Sequence, residues 1–382
     1  MKRLHLISLL AAGCALAADD GFVPLFNGRD LNGWVNANCA PETWSVRDGV
    51  IHCTGFPTGA LRTEGQYENF ILELEWRHLT SGGNSGVFLW GTAIAAPGVP
   101  FLRGIEVQVL DHGYAEQFEK QTGKKSDWFT THGDVFPIHG ATMKPFGKHN
   151  GMRSFPSEER SKRSPEWNQY RIVCTNGIIR LSVNDREVSG GEDCNYRKGY
   201  LALESEGAPV EFRSVRLKEL PSSGVSADQT APLDQGWRPL FNGLDLRGWK
   251  TNAVTTARWS VRGERLMLAA GEPNSAGDLW TASEIGNAEL IVDCRLAKLT
   301  EGQSPVIPVV IWRGAELVLS GATPGAYQRF IITSRGRAVT VKHNEQETQR
   351  VTLPEDAPAR GALGLRDAGR AMEFMNLYVR DL

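Results

Sequence analysis

The chain has 382 residues, enough for two or three domains, with 41% hydrophobic residues, 23% charged residues and a formal net charge of −2. Near-neutral charge excludes the basic surface of a nucleic-acid groove, and no apolar run is long enough to span a bilayer. The 11 tryptophans and 41 glycines, with few helical periods between them, point to an all-β protein whose aromatics suit sugar rings.

The first element is an address rather than a fold. Lys2 and Arg3 precede an apolar run from Leu4 to Ala12 and then Ala15-Leu16-Ala17, the pattern of an export signal over residues 1–17. Lipoprotein anchoring at Cys14 is the minor alternative, since Ala11 stands where such signals usually carry leucine. Either way the protein is expected to be exported, periplasmic or secreted, which permits disulfides. Cys39–Cys53 and Cys174–Cys194 would each close a local loop; the alternative is five buried thiols.

A repeat organises the rest. Residues 24–34 read Pro-Leu-Phe-Asn-Gly-Arg-Asp-Leu-Asn-Gly-Trp, and residues 239–249 read Pro-Leu-Phe-Asn-Gly-Leu-Asp-Leu-Arg-Gly-Trp. Trp44-Ser-Val-Arg47 and Trp259-Ser-Val-Arg262 follow at equal distance, and the copies end on matching Gly199–Leu220 and Gly361–Leu382 segments. The organisation expected is a first β-sandwich over 19–220, a polar linker over 221–235 without apolar period, and a second sandwich over 236–382. What both copies retain, including Trp34, Trp44, Trp249 and Trp259, reads as core. What only one retains is a candidate for function.

Strands follow in order. Ile71–Arg77 alternates, placing Glu73, Glu75 and Arg77 on one face beside the turn Gly82-Gly-Asn84-Ser85-Gly86. In Gly104-Ile-Glu-Val-Gln-Val-Leu-Asp111, Val107 and Val109 face a core while Glu106, Gln108 and Leu110 face away from it, with Asp111 at the strand end. An insert over 112–166, mostly missing from the second copy, then carries His112, His132, His139 and His149 together with Trp128, Phe129 and Phe136. It reads as a long functional loop. Strands 170–174, 178–183 and 200–206 complete the frame, the last carrying Glu204 and Glu206 on one face, where mutual repulsion needs a proton, a cation or open solvent.

Each group has a plain reading alone: Glu75 and Glu106 suit a solvated outer face, and any one histidine suits a loop. Their joint loss from the second copy gives the set weight, for Val318, Gly321, Arg366 and Ala368 stand where Gln108, Asp111, Glu204 and Glu206 would be. No G-x-S-x-G elbow, H-E-x-x-H helix or phosphate loop occurs. Glu106…Asp111 has the spacing of sandwich glycosidases, but the middle carboxylate is Gln108.

Leu25-Phe-Asn-Gly, Trp44…Asp48-Gly49, Leu61-Arg-Thr63, Asn84-Ser-Gly86, Gly104–Asp111, Glu166-Trp-Asn168 and Val210-Glu-Phe-Arg213 together resemble the 3-keto-disaccharide hydrolase domain family. The resemblance covers the first domain in full and the second as a degenerate copy. It implies two tandem concanavalin-like jelly-roll β-sandwiches, a small carbohydrate substrate, and cleavage of glycosides already oxidised at C3. Where the family commonly carries glutamine and histidine, this chain has Glu204 and Glu206.

The implied chemistry needs a base for the C2 proton, an acid for the leaving oxygen and a group that stabilises the enediolate. Glu106, Asp111 and Glu204 are the catalytic candidates; Glu75, Arg77, Asn84, Ser85, Gln108, His132 and His139 are the substrate-binding candidates. The cofactor that the set could hold is a divalent ion, on Glu204, Glu206 and His139. The alternative function is non-catalytic glycan binding, and the second domain is a candidate for contact with glycan or a cell surface.

Overall fold

The computed structural model describes residues 20–298 and 306–382. The export segment 1–17 and Cys14 lie outside the described residues. Two tandem antiparallel β-sandwiches of concanavalin-like jelly-roll type follow one another. In the first, a nine-stranded sheet packs on an eight-stranded one; in the second, eight strands pack on five.

The repeated Leu-Phe-Asn-Gly motif is a turn that folds identically in both copies. Asn27 Oδ1 accepts from the backbone N–H of Arg29 and Asp30, while Asn27 Nδ2 donates to Asp30. Asn242 repeats the pattern with Leu244 and Asp245. Gly28 and Gly243 hold the left-handed φ of 75° and 73° that the turn requires. Each motif delivers a tryptophan to a core: Trp34 and Trp44 to the first, Trp249 and Trp259 to the second.

Alternation decides what the first sandwich buries. Leu72, Leu74 and Trp76 of strand Phe70–His78 point inward from the nine-stranded sheet and meet Val107 and Val109 of strand Gly104–Leu110. The alternate residues therefore emerge on opposite sides of the molecule. Glu73, Glu75 and Arg77 leave by one outer face, Glu106 and Gln108 by the other. Cys39, Cys53, Cys174, Cys194 and Cys294 are all unpaired and buried.

The insert has regular structure of its own, contrary to the expectation of a loop. It holds the helix His112–Thr122, a strand Val135–Ile138 that joins the eight-stranded sheet beside Gly104–Leu110, and a strand Thr142–Pro145 that joins the other sheet. By extending both sheets it folds over the outer face of Gly104–Leu110, and all seven residues of that strand are buried. The linker is laid along the first sandwich rather than hanging free. Ser222 and Ser223 donate to Glu68, Gln66 donates to the Ala231 carbonyl, and Asp234 pairs with Arg62. Among the described residues no helix is long and apolar enough to cross a membrane.

Candidate active site

Three neighbouring strands set the site. Gly86 pairs with Gln108 and Phe88 with Glu106, while Leu203 pairs with Val87 on the other side, which brings Glu204 level with Gly86. Glu106, Gln108, Asn84, Glu204 and Glu206 thus form one polar patch, centred on a residue without a side chain. A Cβ at Gly86 would lie 2.8 Å from Glu204 Oε2 and 2.9 Å from Glu106 Oε1. Glycine is what lets the two carboxyls approach over the sheet.

The patch forms the floor of a cavity of about 210 Å³. Its walls come from the insert and a neighbouring loop: Tyr114, Trp128, Phe129, Phe136, His139 and Phe101. Arg153, also from the insert, reaches in over Phe136, donates to Gln108 Oε1 at 2.6 Å and pairs with Asp134 at 2.7 Å. Gln108 passes the chain on to Asn84 at 2.8 Å, and Asn84 donates to Glu206 Oε2. Glu204 Oε2 is buried without a hydrogen-bond partner.

Burial sets the protonation of these groups. It raises Glu106, and the neighbouring charge of Glu206 raises it further against the pull of Arg153, to about 8. Burial, then the charges of Glu106 and Glu206, hold Glu204 well above the ordinary carboxyl range. Burial lifts Glu206 to about 7, although hydrogen bonds with Glu204 and Asn84 favour its ionised form. The three titrate as one unit, and near neutrality the cluster retains protons that isolated carboxyls would have lost. A carboxylic acid beside a carboxylate is an acid and a base in one pocket.

Several expected site residues lie elsewhere. Asp111 is turned away and caps the insert helix. Its carboxylate accepts from the N–H groups of Gly82, Gly113 and Ser164 and from Ser81 Oγ. Burial opposes its ionisation, but these hydrogen bonds win and lower its pKa. Glu75 and Arg77 are on the opposite sheet, where Glu75 pairs with Arg213 and Arg77 with Glu211. Ser85 points inward and donates to the Glu204 carbonyl. His132 is buried and does not line the pocket. Of the substrate-binding candidates, Asn84, Gln108 and His139 reach the cavity.

The expected metal group is not assembled. His139 lines the pocket but stacks on Phe101, with ring centroids 5.6 Å apart, and its nitrogens do not converge with Glu204 and Glu206. Instead His112, His132 and Glu159 bring ligand atoms within 4.8 Å of one another. Ser161 Oγ sits among them, 2.7 Å from His112 Nε2 and 2.8 Å from His132 Nδ1. His132 Nε2 accepts the Arg160 N–H, which leaves the proton on Nδ1, facing Glu159. Metal ligation through Nδ1 would need the other tautomer, so the group fits a hydrogen-bonded clamp that holds the wall. Burial works against the Glu159 carboxylate, yet hydrogen bonds from His132, Thr131 and Ser161 bring it down to about 2.

The residues that strand alternation could not reveal are Arg153, Tyr114 and Phe101. Arg153 had a usable signal, since a face crowded with carboxyls calls for a cation and the first copy alone contains the insert.

The model of the 3-keto-alpha-glucoside-1,2-lyase-like domain family matches residues 21–218 and 236–313, the second stretch being a partial second copy. The chain belongs to this family. The family match spans every strand that builds the pocket. No curated protein matches the chain at a significant level. Among solved structures, a candidate glycosyl hydrolase from Parabacteroides distasonis is 21% identical, covering 53% of this chain and 94% of its own, with a TM-score of 0.39. A second from the same organism is 23% identical over 52% and 99%, with a TM-score of 0.37. A carbohydrate binding module from Bacillus subtilis is 13% identical over 49% and 96%, with a TM-score of 0.34. At such scores these likenesses carry no argument about activity.

Proposed function

We propose that the first sandwich cleaves glycosides carrying a ketone at C3, by elimination followed by hydration. The observation that supports this most directly is the Glu106–Glu204–Glu206 cluster, two buried carboxyls and a half-buried one that keep protons near neutral pH inside a sugar-sized cavity. Membership of a family described as lyase-like on 3-keto-glucosides supports the same reading.

The C3 ketone acidifies the C2 proton. An ionised carboxylate of the cluster takes that proton as the C1=C2 double bond forms. The C1–O bond breaks, and the leaving oxygen takes a proton from a neutral carboxyl of the same cluster. Negative charge that builds on the C3 oxygen is met by Arg153, the cation lining the pocket. Water then adds to the enone at C1 and returns a proton to C2, restoring the cluster. Glu106 and Glu204 carry the two roles, and Glu206 supplies the third exchange site.

Incubating the purified protein with 3-keto-trehalose or 3-keto-lactose, with and without EDTA, tests the reading. Release of the free 3-keto-hexose (3-keto-glucose from 3-keto-trehalose, 3-keto-galactose from 3-keto-lactose) that is lost in Glu106→Gln and Glu204→Gln supports it. Tight binding without product favours the glycan-binding alternative. The basic, apolar and A-x-A pattern of residues 1–17 supports export, so the substrate would be met outside the cytoplasm.

A further inference from the structure

The second sandwich grips a loop that belongs to the catalytic one. Asn376 donates to the carbonyls of Ala96 and Val99, Arg329 donates to the carbonyl of Ala95, and Gly98 N–H donates to Asp293. Ala95 packs with Ile291 and Tyr378 across the same contact. This loop ends in Phe101, which lines the carboxylate pocket.

Where the sandwiches meet, a crevice of about 300 Å³ opens between Ile94 and Ala96 of the loop, Leu233 of the linker and Trp237 of the second sandwich. His139 lines both this crevice and the carboxylate pocket. The pocket alone is smaller than the ~300–1,000 Å³ of usual small-molecule sites, and the crevice adjoins it across His139. Arg103 also lines the crevice. Its guanidinium lies 4.1 Å from the Tyr196 ring centroid, and its buried Nε has no hydrogen-bond partner. The other arginine there, Arg329, is committed to Asp293 and the Ala95 carbonyl.

We propose that this crevice is the subsite for the leaving group, and that it takes an aromatic aglycone rather than a second sugar. This rests on the function proposed above. A sugar brings several hydroxyls that must each find a partner, and one left unpaired in such a crevice costs about 1–3 kcal/mol. Alanine, isoleucine, leucine, proline and tryptophan make most of the wall apolar, and Thr92, Gln235 and His139 are the polar groups it offers besides the two arginines. An aryl ring instead matches Trp237 and Leu233, and the free face of Arg103 suits a phenolic oxygen or a ring acid group. The degenerate second sandwich thereby acts as a specificity element.

The test compares kcat/KM for 3-keto-glucosides with phenyl, methyl and glucosyl aglycones, in both anomers, for wild type and Trp237→Ala. Calorimetric binding of unoxidised phenyl glucoside to the same proteins and to Arg103→Gln gives a readout free of turnover. The expected result is a phenyl preference over methyl of about tenfold or more, collapsing toward unity in Trp237→Ala, with phenyl glucoside binding weakened alongside. Equal rates for phenyl and methyl, or a glucosyl aglycone preferred to phenyl, overturns the proposal. If no 3-keto-glucoside is cleaved, the lyase reading fails by itself. Phenyl glucoside binding that depends on Trp237 then still supports the aryl subsite, and binding indifferent to Trp237 overturns it. Thermal unfolding of each variant guards against loss of fold.

Discussion

Arg366 closes on Glu316 at 2.8 Å in the second sandwich, at the positions where the first sandwich sets Glu204 against Glu106. The frames correspond: strand Ala315–Val318 pairs with Val309–Trp312, which pairs with Gly361–Leu365, as Gly104–Leu110 pairs with Asn84–Gly91 and that with Gly199–Ser205. One frame holds an exposed ion pair that needs no proton. The other holds buried carboxyls that cannot all ionise.

Replacing Glu204 therefore separates chemistry from fold. Glu204→Gln retains shape and one hydrogen-bonding oxygen but gives up the proton, and should lower kcat by about 10²–10⁴, the usual share of a general acid or base. Its thermal midpoint should match or exceed wild type above neutral pH, because a mutually repelling buried carboxyl is gone. Steady-state turnover and calorimetry on the same preparation check both halves.

The cluster also sets a direction for stability against pH. The folded-state pKa values of Glu106 and Glu206 are raised from 4.5 to about 8 and about 7. Stability from these groups is fully present below the unfolded value and is lost as pH rises through the folded ones. The thermal midpoint should thus fall between about pH 5 and pH 8, and the fall should flatten in Glu106→Gln. The rate should follow a bell, since turnover needs one carboxyl ionised and another protonated.

Gly86→Ala should leave the fold intact and damage the chemistry. A methyl group there meets both Glu204 and Glu106 inside 3.0 Å, so at least one carboxyl must shift. Misplacement on this scale costs about a hundredfold in rate. A kcat/KM reduced by that order, with an unfolding midpoint close to wild type, is the expected outcome.

Asp111 should behave in the opposite way. Asp111→Ala removes the helix cap and strands the N–H groups of Gly82 and Ser164, a loss of about 2–4 kcal/mol. The denaturant midpoint should drop markedly. Any activity left in the folded fraction should retain the wild-type pH profile, because the proton-sharing cluster is elsewhere.

Strand patterns in the sequence carried the frame and the polar strand face, because a period of two residues fixes which side chains share a side. Glu106, Gln108, Glu204 and Glu206 were legible for that reason. Which face of which sheet a strand contributes is a tertiary matter. Glu75 and Arg77 alternate as regularly as Glu106 yet emerge on the far side of the sandwich. Asp111 sits at a strand end, where the turn into a helix, not the pleat, decides its direction. Arg153 and Phe101 meet the carboxyls only because the insert and the 92–101 loop fold back, and no local period encodes that.

The most direct test of the account follows the C2 proton. A 3-keto-glucoside is turned over in D₂O, and early product is analysed by mass and NMR, with uncatalysed exchange of 3-keto-glucose as the control. Elimination and hydration through the carboxyl cluster predict deuterium at C2 in the first product formed, and neither product nor label with Glu106→Gln or Glu204→Gln. Wild-type product that retains hydrogen at C2 would contradict the account.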